Sequence, residues 1–232
     1  MNAYPFSLAG ATLALLPSGA LHWPTEGLLV VSDMHLGKSE RIARRSGTLL
    51  PPYETRDTLA RLDADIQATA ARTVLCLGDS FDDAAAADAL AEEDLAWLTR
   101  LMAGRRWLWI EGNHDPGPLA LGGSHLAQFR LGPLVFRHIA EPAERGEVSG
   151  HYHPKATLAL RGAAVTRRCL LLDQARAILP AYGSYTGGLP CTDTVFAGLM
   201  AADAWAVLLG TPPCAVSLLS MTSRPSASTS SR

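Results

Sequence analysis

Short apolar runs alternate with longer amphipathic stretches over the first half of the chain. Residues 28–32, 73–77 and 107–111 are rich in strand formers, and each run stops at a polar or glycine-containing cluster. Between the first two runs, Leu59, Leu62 and Ile66 recur at helical spacing within 54–72, just behind Pro51 and Pro52. Between the second and third, Leu95, Leu98, Leu101 and Met102 do the same within 88–103. This βαβαβ order predicts parallel strands joined by right-handed crossovers. Beyond Leu131 the pattern shortens, with strands predicted at 134–138, 156–160, 169–172 and 204–209, and residues 4–16 read as a strand pair. The expected fold is α/β, a four-layer αββα sandwich with mixed sheets.

Composition narrows this picture. A chain of 232 residues with 48% hydrophobic content suits one domain with a buried core, expected over 1–221. The final stretch, 222–232, is rich in Ser, Thr and Arg, holds no large apolar side chain, and is expected to be disordered. Lys and Arg number 20 against 22 Asp and Glu, so a broadly basic nucleic-acid binder is excluded and a nucleic-acid substrate would need a local basic patch. Cys76, Cys169, Cys191 and Cys214 form no CxxC pair and read as free buried thiols of a cytoplasmic protein. No apolar run reaches membrane-spanning length, and Pro5 and Pro17 interrupt an N-terminal stretch that lacks a basic lead, so no signal peptide is expected.

The chemistry-bearing residues fall where the predicted strands end, which is where open α/β sheets bind ligands. Asp33-Met34-His35 follows the first strand, Gly78-Asp79-Ser80-Phe81-Asp82 the second, and Gly112-Asn113-His114-Asp115 the third. His138 ends a fourth strand, and Gly150-His151-Tyr152-His153 follows a short segment. Any one of these motifs is unremarkable: GNHD makes an ordinary turn, and a lone His138 reads as a core histidine. Five in order are not explained by packing. Mixed imidazole and carboxylate ligands suit Mn, Fe or Zn. Seven such groups exceed one tetrahedral shell and suit two divalent ions sharing a carboxylate. Such an ion pair would neutralise a phosphodiester's oxygens and generate hydroxide for in-line attack, and a nearby imidazole would protonate the leaving oxygen. Gly78, Gly112 and Gly150 are expected to let the backbone turn sharply. Neither Ser32 nor Ser80 has a nucleophile's context.

The run DMH, GDSFD, GNHD, a lone His and GHYH resembles the signature of the calcineurin-like metallophosphoesterases over 28–153. Finer features resemble the bacterial ligase-associated DNA damage response endonucleases: Asp33 through Lys38, Ala20 through Pro24, the GHYHP segment, and Leu179 through Gly188. Asp82 departs from that subgroup, where His is expected, but fits the wider GDxxD pattern. The resemblance implies that Asp33, His35, Asp79 and His153 hold one metal. Asp79 would bridge to a second, held by Asn113, His138 and His151. His114 would act on the leaving oxygen, and Asp115 would orient it or cap the following turn. Mn2+ is the expected metal, with Fe, Zn or Ni as alternatives, and the resemblance implies a DNA repair role beside a ligase and a helicase.

Substrate contacts are expected from Lys38 and Arg45, which follow the first metal loop; Arg44 and Arg45 cannot both face the site on a helix. A second basic segment comprises Arg161, Arg167, Arg168 and Arg176. Trp107 and Trp109 share a strand face and read as core, and the Gly- and Tyr-rich segment 180–188 is a candidate site wall. The leading expectation is a phosphodiesterase acting on single-stranded or damaged DNA. A small-molecule phosphodiesterase or phosphatase would instead show a capped, narrow pocket, and no cap insertion interrupts the motifs. A non-catalytic scaffold would have lost ligand residues, and none is lost here. No membrane partner is expected, and an exposed sheet edge would suit a homodimer.

Overall fold

The computed structural model describes residues 2–48, 51, 53–115, 117, 121–160 and 163–222. The expected disordered tail lies outside the described residues from 223 onward; Thr222 closes a helix. The elements in chain order are β1 (Tyr4–Leu8), β2 (Ala11–Leu15), β3 (Leu21–Trp23), β4 (Leu28–Val31), α1 (Lys38–Ser46), α2 (Glu54–Thr69), β5 (Thr73–Leu77), α3 (Ala84–Asp88), α4 (Glu92–Met102) and β6 (Arg106–Ile110). There follow β7 (Ser124–Leu126), β8 (Gln128–Leu131), β9 (Leu134–Arg137), β10 (Glu147–Ser149), β11 (Lys155–Leu160), β12 (Ala163–Leu172), β13 (Arg176–Ile178), α5 (Thr194–Ala197), β14 (Trp205–Leu208), β15 (Cys214–Ser217) and α6 (Leu218–Thr222).

Two mixed sheets face each other. The first runs β1 to β7 in sequence order, antiparallel from β1 to β4 and parallel from β4 to β7. The second runs β15-β14-β12-β13-β10-β9-β8, with β9, β10 and β13 parallel and β11 paired only to β12. Alternation within β4 explains how both faces of the first sheet are used. Leu28 and Val30 point into the space between the sheets, where they meet Phe136, Val148, Leu170 and Val207. Leu29 and Val31 point outward beneath α2 and α4, against Leu59, Leu62, Ile66, Leu98 and Leu101. The outer face of the second sheet is covered by Phe196 and Met200, around α5 and α6. That second helical layer is much thinner than the first, because α5 and α6 are each about one turn.

The helix expected over 88–103 is α4, which starts four residues later than expected, at Glu92, and a separate short helix, α3, precedes it. Asp83 caps α3 by accepting the Ala86 N–H, and α4 begins where Glu92, Glu93 and Asp94 meet the positive end of a helix dipole. Cys76, Cys169 and Cys191 are buried thiols as expected, but Cys214, on edge strand β15, is exposed. Trp107 and Trp109 are buried core residues, as is Phe81.

Candidate metal centre

Parallel, in-register β4, β5 and β6 bring their carboxyl ends side by side. Their exits carry Asp33 and His35, Asp79, and Asn113 and His114. From the facing sheet, parallel β9 and β10 deliver His138, then His151 and His153, to the same edge. Backbone hydrogen bonds tie these exits together. The Asp33 N–H donates to the Gly78 carbonyl at 3.2 Å, the His35 N–H to the Asp79 carbonyl at 2.9 Å, and the Gly150 N–H to the His138 carbonyl at 3.0 Å.

The side chains converge in overlapping groups. Asp33, His35 and His153 place ligand atoms within 4.8 Å of one another, as do Asp79, His138 and His151. A third group of the same span, His35, Asp79 and His114, joins the two. His138 shows why this donor set fits a cation. Its Nδ1–H donates to the Leu77 carbonyl at 2.7 Å, which leaves Nε2 with a bare lone pair. That nitrogen lies 3.0 Å from Asn113 Oδ1, 3.2 Å from His151 Nδ1 and 3.4 Å from Asp79 Oδ2. Lone pairs facing at this range repel unless a proton or metal ion lies between them. On the other side, His35 Nε2 and His153 Nε2 are 3.4 Å apart, and His153 Nε2 is 3.2 Å from Asp33 Oδ1.

The backbone is specialised at the same residues. Asp33, His35, Asp79, His151 and His153 all have positive φ, from 46° to 72°; among the described residues only Ala9 and Ala70 join them outside glycine. Left-handed backbone at non-glycine residues is costly and concentrates at functional sites. Gly78 turns through positive φ as expected, but Gly112 and Gly150 serve a different purpose. A Cβ on Gly112 would lie 2.3 Å from Asp79 Oδ1, and one on Gly150 only 1.8 Å from Ser32 Oγ and 2.6 Å from Asp33 Oδ2. These two glycines admit the carboxylates of the candidate ligands Asp79 and Asp33 rather than bending the chain.

Charge balance follows from this crowding. Burial raises the Asp33 carboxyl, but His153, His138 and the Ser32 hydroxyl outweigh it and hold the group below its ordinary value. Burial works the same way on Asp79, and His138, the His114 amide and His35 bring it down to about 2. Burial depresses His138, but Asp79 and Asp33 win and raise it. The carboxylates that attract a proton to His138 would equally attract a metal cation. Burial and neighbouring His138 lower His151, favouring the neutral form a ligand needs.

Two residues take roles other than those the sequence suggests. Asp115 does not orient His114. Its carboxylate accepts the N–H groups of Asp79, Ser80 and Phe81 at 2.9, 2.7 and 3.2 Å, pinning the loop that carries Asp79. Burial, reinforced by the Asp79 charge, pushes Asp115 up to about 6 against those three donors. The orienting role falls to Asp82, which is fully buried. Its Oδ1 approaches His35 Nδ1 at 2.9 Å, turning His35 Nε2 toward the site, and its carbonyl accepts the His114 Nδ1–H at 2.8 Å. Arg41 Nη1 at 2.7 Å and Lys38 Nζ at 3.5 Å hold the same carboxylate. A signal for this was present in the sequence: the second acid of GDxxD, with Lys38 and Arg41 one helical turn apart.

Lys38 therefore faces Asp82 at the rim of the site, while Arg45 is exposed at the last turn of α1. Arg44 pairs with Glu40 and Asp83. Arg176 does not belong to a basic surface: it is buried against Glu147 and donates to the Pro142 and Glu144 carbonyls. Arg161 lies outside the described residues. The segment 180–188 does wall the site. The Tyr182 and Gly183 amides donate to the Ser32 and Asp33 carbonyls at 2.7 and 3.1 Å.

Comparison with known proteins agrees with this geometry. The crystal structure of Pseudomonas putida nuclease MPE matches with a TM-score of 0.70 at 29% identity, covering 91% of this chain and 100% of that one. A search of curated proteins finds no match. The profile of the calcineurin-like phosphoesterases matches residues 28–168, from β4 through most of β12, a span that contains every converging group. A match over well more than half of the sequence settles the family: this chain belongs to the calcineurin-like phosphoesterases and is a metallophosphoesterase in the hydrolase class.

Proposed function

We propose that this protein is a metal-dependent phosphodiesterase that cleaves DNA through a two-metal centre. The observation that carries the reading is the set of bare lone pairs turned toward one another around Asp79. In this reading Asp33, His35, Asp79 and His153 hold one divalent ion, and Asp79, Asn113, His138 and His151 hold the other. When bound, two such ions neutralise phosphoryl oxygens and lower the pKa of a water for attack. The chain's own groups do the rest. The Leu77 carbonyl fixes the tautomer of His138, and the Asp82 carboxylate lies in ionic contact with His35 Nδ1. His114 has its Nδ1–H engaged by the Asp82 carbonyl, so Nε2 is the atom free to carry a proton to the leaving oxygen. Lys38 and Arg45 face flanking phosphates from α1.

The 29%-identical neighbour is a nuclease, which favours nucleic acid over a small phosphodiester. The resemblance to ligase-associated endonucleases supports Mn2+, a cytoplasmic setting, and a repair role beside a ligase and a helicase. The test is Mn2+-dependent cleavage of labelled single-stranded and gapped DNA, run beside bis-p-nitrophenyl phosphate, with Asp79→Asn and His114→Ala. Cleavage of both substrates, lost in both variants, is the expected result. Hydrolysis of the small diester without DNA cleavage would move the substrate to a small phosphodiester; wild-type turnover in either variant would remove the chemistry from this site.

A further inference from the structure

The hairpin that follows the last candidate ligand places two like charges opposite each other. In the β11–β12 ladder Lys155 pairs directly with Arg168, and Ala156 with Arg167. Like charges directly across a ladder destabilise a sheet unless something offsets them. Among the described residues none of Lys155, Arg167 and Arg168 has an acidic partner within ion-pair distance, and the one carboxylate that acts on Arg168 from farther away, Asp57, is shared with Arg61 and the Ser184 hydroxyl. Arg168 is half-buried and donates to the Ala181 and Gly183 carbonyls at 2.9 Å each, which fixes its position without neutralising its charge. Burial and neighbouring Arg61 lower its proton affinity, against the opposing pull of Asp57.

These cations line a groove of about 420 Å³, together with Thr166, Ser184 and Thr186. The groove neighbours the metal centre along the chain. Lys155 lies two residues beyond His153, at most ~7 Å along the backbone. The loop forming its other wall touches both ligand segments: a Cβ on Gly188 would lie 2.2 Å from the His153 carbonyl, and one on Gly183 2.1 Å from the Met34 carbonyl. Three cations without an ion-paired acid among the described residues, in a groove whose lining residues include no carboxylate, match a phosphate anion.

We propose that the Lys155–Arg167–Arg168 groove is a subsite for a non-scissile phosphate of a nucleic-acid strand whose neighbouring phosphate lies at the metal centre. This rests on the nuclease reading above and extends it. It assigns the strand a direction of approach, along the β11–β12 hairpin and past His153. It also explains an otherwise unfavourable cross-strand pair, which the bound strand relieves.

The test uses the full chain carrying Lys155→Gln and Arg167→Gln together, which keeps both stems and removes both charges. Arg168 is left alone because it also ties down the 181–183 turn. Binding of a labelled single-stranded oligonucleotide is followed by anisotropy in EDTA across a salt series. Two lost phosphate contacts should make the slope of log K against log salt shallower by ~1.4, and weaken binding roughly tenfold at about 0.15 M salt. The melting temperature should stay equal or rise, because a repulsive pair has been relieved; a merely structural role would lower it. Lys155→Arg with Arg167→Lys should restore binding. With Mn2+ present, kcat/KM should fall at least several-fold more for the oligonucleotide than for bis-p-nitrophenyl phosphate. Wild-type affinity and salt slope in the Gln variant would overturn the subsite and leave the nuclease reading standing. A wild-type protein that hydrolyses the small diester but neither binds nor cleaves DNA would overturn both.

Discussion

Replacing Asp82 by Asn tests whether a buried carboxylate outside the ligand set organises the metal centre. Asp82 is fully buried, 2.9 Å from His35 Nδ1, and it compensates Arg41 and Lys38, whose side chains are each 21% exposed. Breaking a fully buried ion pair costs about 3–5 kcal/mol, and the partial exposure of both cations brings the expected cost to about 2–3 kcal/mol. For a chain of this size that is a fall in melting temperature of about 5–10 °C. The loss of the acceptor that turns His35 should weaken metal binding ~10–100-fold. Competitive titration of metal-free protein with a chromophoric chelator and Mn2+ reads the second effect, and thermal denaturation reads the first. The pH dependence has a definite sign. Burial disfavours the Asp82 carboxylate, but His35, Arg41 and Lys38 hold it well below its ordinary value. Its contribution is therefore complete above the unfolded carboxylate value of ~3.9 and is lost as pH falls toward the folded one. The metal-free Asn variant should lose less stability on acidification than the wild type does. Wild-type metal affinity together with an unchanged melting temperature would refute the argument.

Three further outcomes follow from the geometry. His114→Ala should lower kcat on bis-p-nitrophenyl phosphate ~10²–10⁴-fold while stoichiometric metal binding persists; loss of metal would instead make His114 a ligand. Asp115→Ala leaves three buried amides of the Asp79 loop without an acceptor and should cost about 3 kcal/mol in denaturant unfolding; a variant as stable as wild type would show that the loop is held by other contacts. Gly150→Ala would set a methyl group 1.8 Å from Ser32 Oγ, so the strand exit must shift and carry Asp33 with it. Metal affinity should collapse further in Gly150→Ala than in Gly187→Ala, whose added Cβ meets nothing within 4 Å; equal affinities would contradict the close-approach argument.

Much of this site was legible because the candidate metal ligands sit at punctuation points. Continuous apolar runs such as 28–31 and 73–77 mark buried parallel strands, and the first polar cluster after each is by construction at the sheet's carboxyl edge. Asp33, Asp79, Asn113 and His138 were readable on that ground alone. The small strands were not: β7, β10 and β13 have three residues each, too few to show a period of two. Asp82's role left a signal in the GDxxD pattern, but its contacts depend on α1 folding back so that Arg41 and Lys38 reach it. Arg176 was misassigned to a basic surface because sequence distance hides its buried partner Glu147. Asp115 was misassigned because adjacency to His114 suggests contact, whereas the backbone turns its carboxylate toward the preceding strand's loop.

The left-handed backbone at Asp33, His35, Asp79, His151 and His153 constrains how this centre can drift over generations. Apart from glycine, the side chains that best tolerate that conformation are Asn, Asp and His. Those are also oxygen and imidazole donors. A random replacement at any of the five positions meets a folding penalty unless it introduces one of this short menu. Selection for an intact fold alone therefore keeps the replacements close to ligand chemistry, and a lineage that lost a metal ion would stay few mutational steps from regaining one.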